Sequence, residues 1–304
     1  MFYFQAYGLM LRSMVLLPGY KTTSSQHNVE QLNIDAEIIC NEVSQTGLKN
    51  PLEQGLFFQV TPEAIWFNVP NVARFLVQNG ERIVFQPAPD SDNDFITAFL
   101  NGPCLAALLM QRNLFVLTGS VLKSNDVAIA YLGDSCSGKS SLIAAMMQRG
   151  YCVLSDGLCV VNQEGMVFPG PSYIELWDDT VQKLRIPAHG LQPIRAGFNK
   201  NRLPLDDLFY NHSLPLRDVY VLNPQKDNLL RHKTLTGSEK INFLQKNIYN
   251  KTYLAGFKKN HLYFEYCARL AQQTTMTLIE FNAIEFNIHD LSHCVEALQG
   301  AYVN

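Results

Sequence analysis

Short runs of alternating apolar and polar positions dominate the first third of the chain. Phe2 to Leu11 carries aromatic and aliphatic residues at strand density, and Ile34 to Cys40, Leu56 to Thr61 and Ala64 to Val69 follow in the same style. Phe75 to Gln86 is interrupted by Asn79-Gly80, a pair suited to positive φ, which predicts a hairpin. The pattern predicts an antiparallel, β-rich unit. After Pro87-Ala88-Pro89 a helix is expected to start near Asp92 or Asp94, with Phe95, Phe99, Leu105, Leu108 and Leu109 on its apolar side. Gly102-Pro103 is expected to break or kink it. A domain boundary is placed near residue 112, giving a β-rich domain over 1–112 and a second domain over 113–304.

The second part has a different grammar. Val127 to Leu132 is a continuous apolar run, as a buried parallel strand requires. A glycine-bearing loop follows. Leu142, Ile143, Met146 and Met147 then share one face of a helix ending at Gly150, and Tyr151 to Leu154 is a second apolar run. Strand, loop, helix, strand is a βαβ unit, so the class is α/β. Farther on, Ile241 to Ile248, Thr277 to Phe281 and Leu291 to Leu298 predict helix, strand and helix.

Composition narrows the function classes. Hydrophobic residues make up 47% of the 304 positions and charged residues 17%, which provides for a core and excludes a largely disordered chain. The 24 basic residues are balanced by 27 acidic ones without a run of like charge, so a nucleic-acid partner is not expected. Seven cysteines without a C-x-x-C pair argue against a disulfide framework or structural zinc and fit a reducing, cytoplasmic setting. The apolar start is interrupted by Arg12 and lacks a basic leader, so a signal peptide is not expected. No 18-residue apolar run is present, so no membrane partner is expected either.

One motif carries chemistry. Gly133-Asp134-Ser135-Cys136-Ser137-Gly138-Lys139-Ser140 matches G-x-x-x-x-G-K-[ST], between an apolar strand and a helix. Its glycines let the backbone turn N–H groups toward phosphate oxygens, and the helix N-terminus adds partial positive charge. Lys139 is the candidate partner of the β- and γ-phosphates, and Ser140 the candidate Mg²⁺ ligand. Such a loop needs a carboxylate. Asp156, just past Cys152-Val153-Leu154, is the candidate, with a simple turn before Gly157 as the alternative.

Gly133 to Gly157 resembles the core of HPr kinase/phosphorylase and its shorter relatives. Arg149-Gly150-Tyr151 and Ser155-Asp156 fall at matching spacing, as do Phe168-Pro169-Gly170-Pro171 and Leu176-Trp177. Asn199 to Leu205 is similar to a later basic segment of the family. Ala6-Tyr7-Gly8-Leu9, Ser13 and Leu17-Pro18 are similar to its opening. The resemblance implies a P-loop kinase domain following a smaller β-rich domain. It implies ATP and Mg²⁺, and a hydroxyl acceptor, serine in a peptide or small protein. The loop through Ser141 would hold the nucleotide, Lys139 and Asp156 would be catalytic, and Ser140 and Asp156 would hold the metal. Some relatives stand beside peptide-maturation enzymes, and family members form oligomers, which extends to a homo-oligomer here. Two departures stand out: the family's second aspartate is Gly157, and its upstream histidine is Thr118 in Thr118-Gly119-Ser120. They keep open a non-catalytic nucleotide-binding subunit that acts with a partner enzyme.

Other patterns point elsewhere. Asp90, Asp92 and Asp94 imitate a calcium loop, but Phe95 and Asn101 stand where glycine and glutamate are required, so capping is expected. Asp178 and Asp179 could replace the missing carboxylate, although a solvated helix start is the favoured reading. His289, His293 and Cys294 are half a zinc pattern without the other half. Cys136 sits at a helix N-terminus without a visible base. Lys200 and Arg202 are candidates to clamp a phosphate or an acidic substrate, with a solvated loop as the alternative. Asn250-Lys251-Thr252 is a formal glycosylation sequon that a cytoplasmic protein does not use.

Overall fold

The computed structural model describes residues 1–22, 32–194, 197–226, 230–283 and 287–300. The first sheet comprises β1 (Phe2–Ala6), β2 (Leu9–Ser13), β3 (Ala36–Cys40), β4 (Glu53–Gln54), β5 (Phe58–Val60), β6 (Ala64–Val69), β7 (Ala73–Gln78) and β8 (Arg82–Pro87), in the order β1-β2-β3-β8-β7-β6-β5-β4. The expected hairpin is β7–β8, with Asn79 and Gly80 at φ of 54° and 67°. The run Phe2–Leu11 is two strands rather than one. Tyr7 and Gly8, at φ of 50° and 81°, form a two-residue turn that pairs Ala6 with Leu9.

The sheet is also not purely antiparallel: β3 runs parallel to both β2 and β8. Alternation reports that one face is buried and says nothing of strand direction. Direction is set by the long connections on either side of β3.

A helix follows in three pieces. Asp92 caps α1 (Asn93–Phe99), accepting from the Asp94 amide at 2.9 Å. This is the role expected of the aspartate cluster. Gly102-Pro103 does not break the helix. It lies in a π-turn, Leu100–Cys104, that runs straight into α2 (Leu105–Gln111). A wider turn accommodates the amide that proline lacks and the bulk of its ring. By length and composition alone this helix could cross a bilayer. Its apolar character serves the core instead: Leu105 to Met110 are all buried, in a cluster continuous with both large sheets.

The second large sheet is built from β9 (Phe115–Ser124), β10 (Val127–Leu132), β11 (Val153–Ser155), β12 (Leu158–Val161), β13 (Met166–Val167), β17 (Leu214–Gln225), β18 (Arg231–Thr234) and β19 (Thr275–Asn282). β10 lies between β9, antiparallel to it, and β17, parallel to it. Because β9, β12, β13 and β17 also pair in series, the ladder closes on itself instead of remaining open. The expected βαβ unit is present, with β11 on the far side of β9. A third, small sheet joins β14 (Tyr173–Trp177), β16 (Lys200–Pro204) and β15 (Gln192–Pro193).

The helices are α3 (Lys139–Met147), α4 (Asp178–Lys183), α5 (Ser238–Lys246), α6 (Thr252–Gly256), α7 (Asn260–Gln273) and α8 (Ile288–Gly300). α3 is not amphipathic as its pattern suggested. Ala144 and Ala145 are buried along with Leu142, Ile143, Met146 and Met147, because α3 packs against β9, β14 and α8. The chain turns out of it at Gly150 (φ 88°). The Gly150 amide donates to the Met147 carbonyl and the Tyr151 amide to that of Met146, a Schellman cap. The chain is thus a mixed α/β protein with several sheets.

Candidate functional site

The loop 133–140 joins β10 to α3. Gly133 adopts φ of 148°, where a Cβ would lie 2.6 Å from the Leu222 carbonyl oxygen of the neighbouring strand, so this corner requires glycine. Gly138 precedes the helix at φ of 86° and Cys136 holds φ of 62°, so the chain winds tightly through the loop. The Ser137 amide closes a turn on the Asp134 carbonyl.

Lys139 folds back over the loop. Its ammonium donates to the Gly133 carbonyl at 2.9 Å and the Asp134 carbonyl at 2.7 Å, with the Ser137 hydroxyl at 3.3 Å. Burial pulls its pKa below that of a free lysine, and Asp156 and Asp134 pull back in the other direction. The ammonium thus rests on two neutral carbonyls and a hydroxyl.

Asp156 ends β11. Gly157, at φ of 84°, turns the chain into β12, and both strands pair with β9. The carboxylate collects three donors. The Ser140 hydroxyl lies 3.0 Å from both oxygens, the Ser120 hydroxyl 2.5 Å from Oδ1, and the Glu175 amide 3.2 Å from Oδ2. The predicted loop serine and the predicted carboxylate therefore meet. Thr118 lies on β9 two residues before Ser120, where its amide donates to the Asn247 carbonyl.

Three participants had escaped the sequence reading. Ser120 and Glu175 hold Asp156. Asn247, buried at the end of α5, accepts from the Gly133 amide at 2.8 Å and donates to the Phe243 carbonyl. Only Ser120 had a visible signal, its place two residues after Thr118.

The remaining candidates fall as follows. The Ser141 hydroxyl is paired with that of Thr180 at 3.0 Å, away from Asp156. The Asp134 carboxylate meets Lys246 at 3.0 Å. Asp178 and Asp179 occupy the first turn of α4, paired with Asn201 and Lys183, and do not join Asp156. Lys200 meets Glu175 at 2.7 Å, and Arg202, 4% exposed, lies 3.9 Å from the same carboxylate with its guanidinium over the Tyr173 ring. Two cations thus share one carboxylate, and Arg202 Nε and Nη2 have no hydrogen-bond partner. His293 engages Arg149 and Glu296, and among the described residues no cluster of three metal-binding side chains occurs.

Ser140 and Asp156 open onto a cleft of about 360 Å³. Tyr7, from the β1–β2 turn, and Phe95, Asn101 and Gly102, from the first helix, form one side. Tyr173, Glu175 and Lys200 of the small sheet form another. Burial pushes the Tyr173 phenol up to about 12 and raises Tyr7 further, so both stay protonated at neutral pH.

No family model matches the chain, and no curated protein does. A solved structure of the Hpr(Ser) kinase/phosphatase from Coxiella burnetii aligns with 62% of this chain and 95% of that one, at 13% identity and a TM-score of 0.31.

Proposed function

We propose that the protein binds ATP at the 133–140 loop and transfers its γ-phosphoryl group to a hydroxyl held in the adjoining cleft. The observation that carries this reading is the position of Asp156: it touches the loop serine on one side and lines a ligand-sized cleft on the other. Lys139 would release its two carbonyls for the phosphates. Ser140 and Asp156 are hard oxygen donors close enough to share an Mg²⁺, the ion that neutralises phosphate charge in this chemistry.

Asp156 would accept the acceptor's hydroxyl proton as the new O–P bond forms. The bond from the γ-phosphorus to the bridging oxygen breaks, and ADP leaves. Phosphoryl transfer needs mainly positioning and charge compensation, so this small set suffices. The test is calorimetric ATP·Mg²⁺ binding with ADP release followed in the same samples. Wild type is expected to bind and release ADP, and Lys139→Ala to lose both. Binding without turnover in the presence of any acceptor would leave a nucleotide-binding protein and refute the kinase.

A further inference from the structure

The cleft is larger than a bare hydroxyl requires, and its lining is selective. Tyr7, Phe95, Tyr173, Phe198 and Tyr249 place five rings around it. Apolar walls with a few fixed polar groups are the usual make-up of small-ligand sites. One such polar group is Asn101, 7% exposed in the π-turn. Its amide nitrogen donates to the Pro18 carbonyl at 3.1 Å and the Tyr173 hydroxyl at 3.3 Å, while its Oδ1 has no hydrogen-bond partner. A buried amide oxygen in that state calls for a donor. Lys200 and Arg202 share the single Glu175 carboxylate, and Arg202 Nε and Nη2 have no hydrogen-bond partner, so this wall carries one cation more than its carboxylate neutralises. Next to Asn101, Gly102 faces open space: a Cβ there meets nothing within 4 Å.

Building on the kinase reading, we propose that the cleft takes an acceptor hydroxyl carried on a compact, ring-bearing body that also offers an N–H or O–H to Asn101 Oδ1. The hydroxyl oxygen gains the γ-phosphoryl group, its proton passes to Asp156, and ADP departs. A free phenol or aryl alcohol presents this chemistry, and so does a hydroxyl beside an aromatic residue in an extended peptide.

Four probes separate the cases: N-acetyltyramine, N-acetyl-phenylalanyl-serine amide, 4-hydroxyphenylacetate and glycerol. Binding is read by saturation-transfer NMR, and transfer by the phosphorylated product and ADP. At least one of the three ring-bearing probes is expected to bind wild type and be phosphorylated in preference to glycerol. Which one does so identifies the source. Gly102→Leu fills the open side and should weaken that binding about tenfold or more, with ATP binding retained as evidence of folding. Asn101→Leu, similar in volume but without the amide, should weaken it as well.

Failure of all three ring-bearing probes to bind, equal use of glycerol, or unchanged binding in Gly102→Leu would overturn the proposal. Binding that Gly102→Leu removes, without phosphorylation while ATP binds, would uphold the ligand class and refute the kinase.

Discussion

The Ser140 hydroxyl lies 3.0 Å from both carboxylate oxygens of Asp156, although the two residues belong to different elements and face each other across the end of the sheet. The contact couples the nucleotide loop to the cleft, because a metal held by Ser140 would be within reach of the same carboxylate. Asp156→Asn keeps the shape and removes the charge. It is expected to lower kcat by about 10²–10⁴-fold, the usual range for a general base, while the loop retains ATP. Rates of ADP release with acceptor present, alongside calorimetric ATP affinity, check this. Wild-type kcat in Asp156→Asn would remove the carboxylate from the chemistry.

Ser120 acts through Asp156 and is a positioning residue. Its hydroxyl lies 2.5 Å from Oδ1. Ser120→Ala should lower kcat by roughly tenfold with little change in the KM for ATP, since a displaced base harms the step and not nucleotide binding. Ser120→Thr keeps the hydroxyl and should restore the rate. A merely structural role would affect both kinetic constants and would not respond to the threonine.

Lys139 supplies a pH signature. Burial lowers its pKa in the free protein, and a triphosphate on the ammonium would raise it again. ATP binding should therefore take up protons at alkaline pH, where part of the free protein has lost the Lys139 proton. Uptake should fade toward neutrality, where the lysine is charged in both states. Calorimetry in buffers of different ionisation enthalpy measures it directly. Lys139→Arg, charged throughout, should abolish the uptake, and uptake that persisted there would have another source.

The site was legible where its residues are contiguous. The loop, its strand and its helix follow from glycine spacing and an apolar run, and Asp156 follows from its place one strand later. What holds Asp156 was not legible: Ser120 and Glu175 stand 36 and 19 residues away, on β9 beside β11 and on β14 of the small sheet, and meet it only in the fold. The fold divides similarly. Asn79-Gly80 announced its hairpin, and Tyr7-Gly8 had the same two-residue geometry without the usual asparagine. The parallel pairings of β3, the closure through β17 and the burial of α3 all depend on distant elements. Local periodicity carries no information about those.

Asn247 connects two distant parts of the site. Its side-chain oxygen holds the Gly133 amide at 2.8 Å, its nitrogen reaches the Phe243 carbonyl at 2.7 Å, and its own carbonyl receives the Thr118 amide. Asn247→Ala strands a buried N–H at the entry of the phosphate loop, which should cost about 1–3 kcal/mol. Urea unfolding should show a lower midpoint at unchanged slope. ATP affinity should fall too, because the loop's first corner is no longer fixed. Asn247→Asp should be no better, since a carboxylate would face the Phe243 carbonyl.

Gly157 holds a backbone conformation that favours glycine. At φ of 84°, with open space where a Cβ would stand, any side chain is accommodated sterically by its surroundings but strained by its own backbone. The left-handed penalty is roughly 1–2 kcal/mol. Gly157→Asp would add a second carboxylate at the mouth of the cleft. It is expected to lower the melting temperature about as much as Gly157→Ala does, and to leave the rate of ADP release no higher than in wild type. The reason is that Asp156 already has its oxygens fixed by Ser120, Ser140 and Glu175. A clear gain in turnover with Gly157→Asp, absent from Gly157→Ala, would mean instead that this chain works with one carboxylate fewer than its chemistry requires.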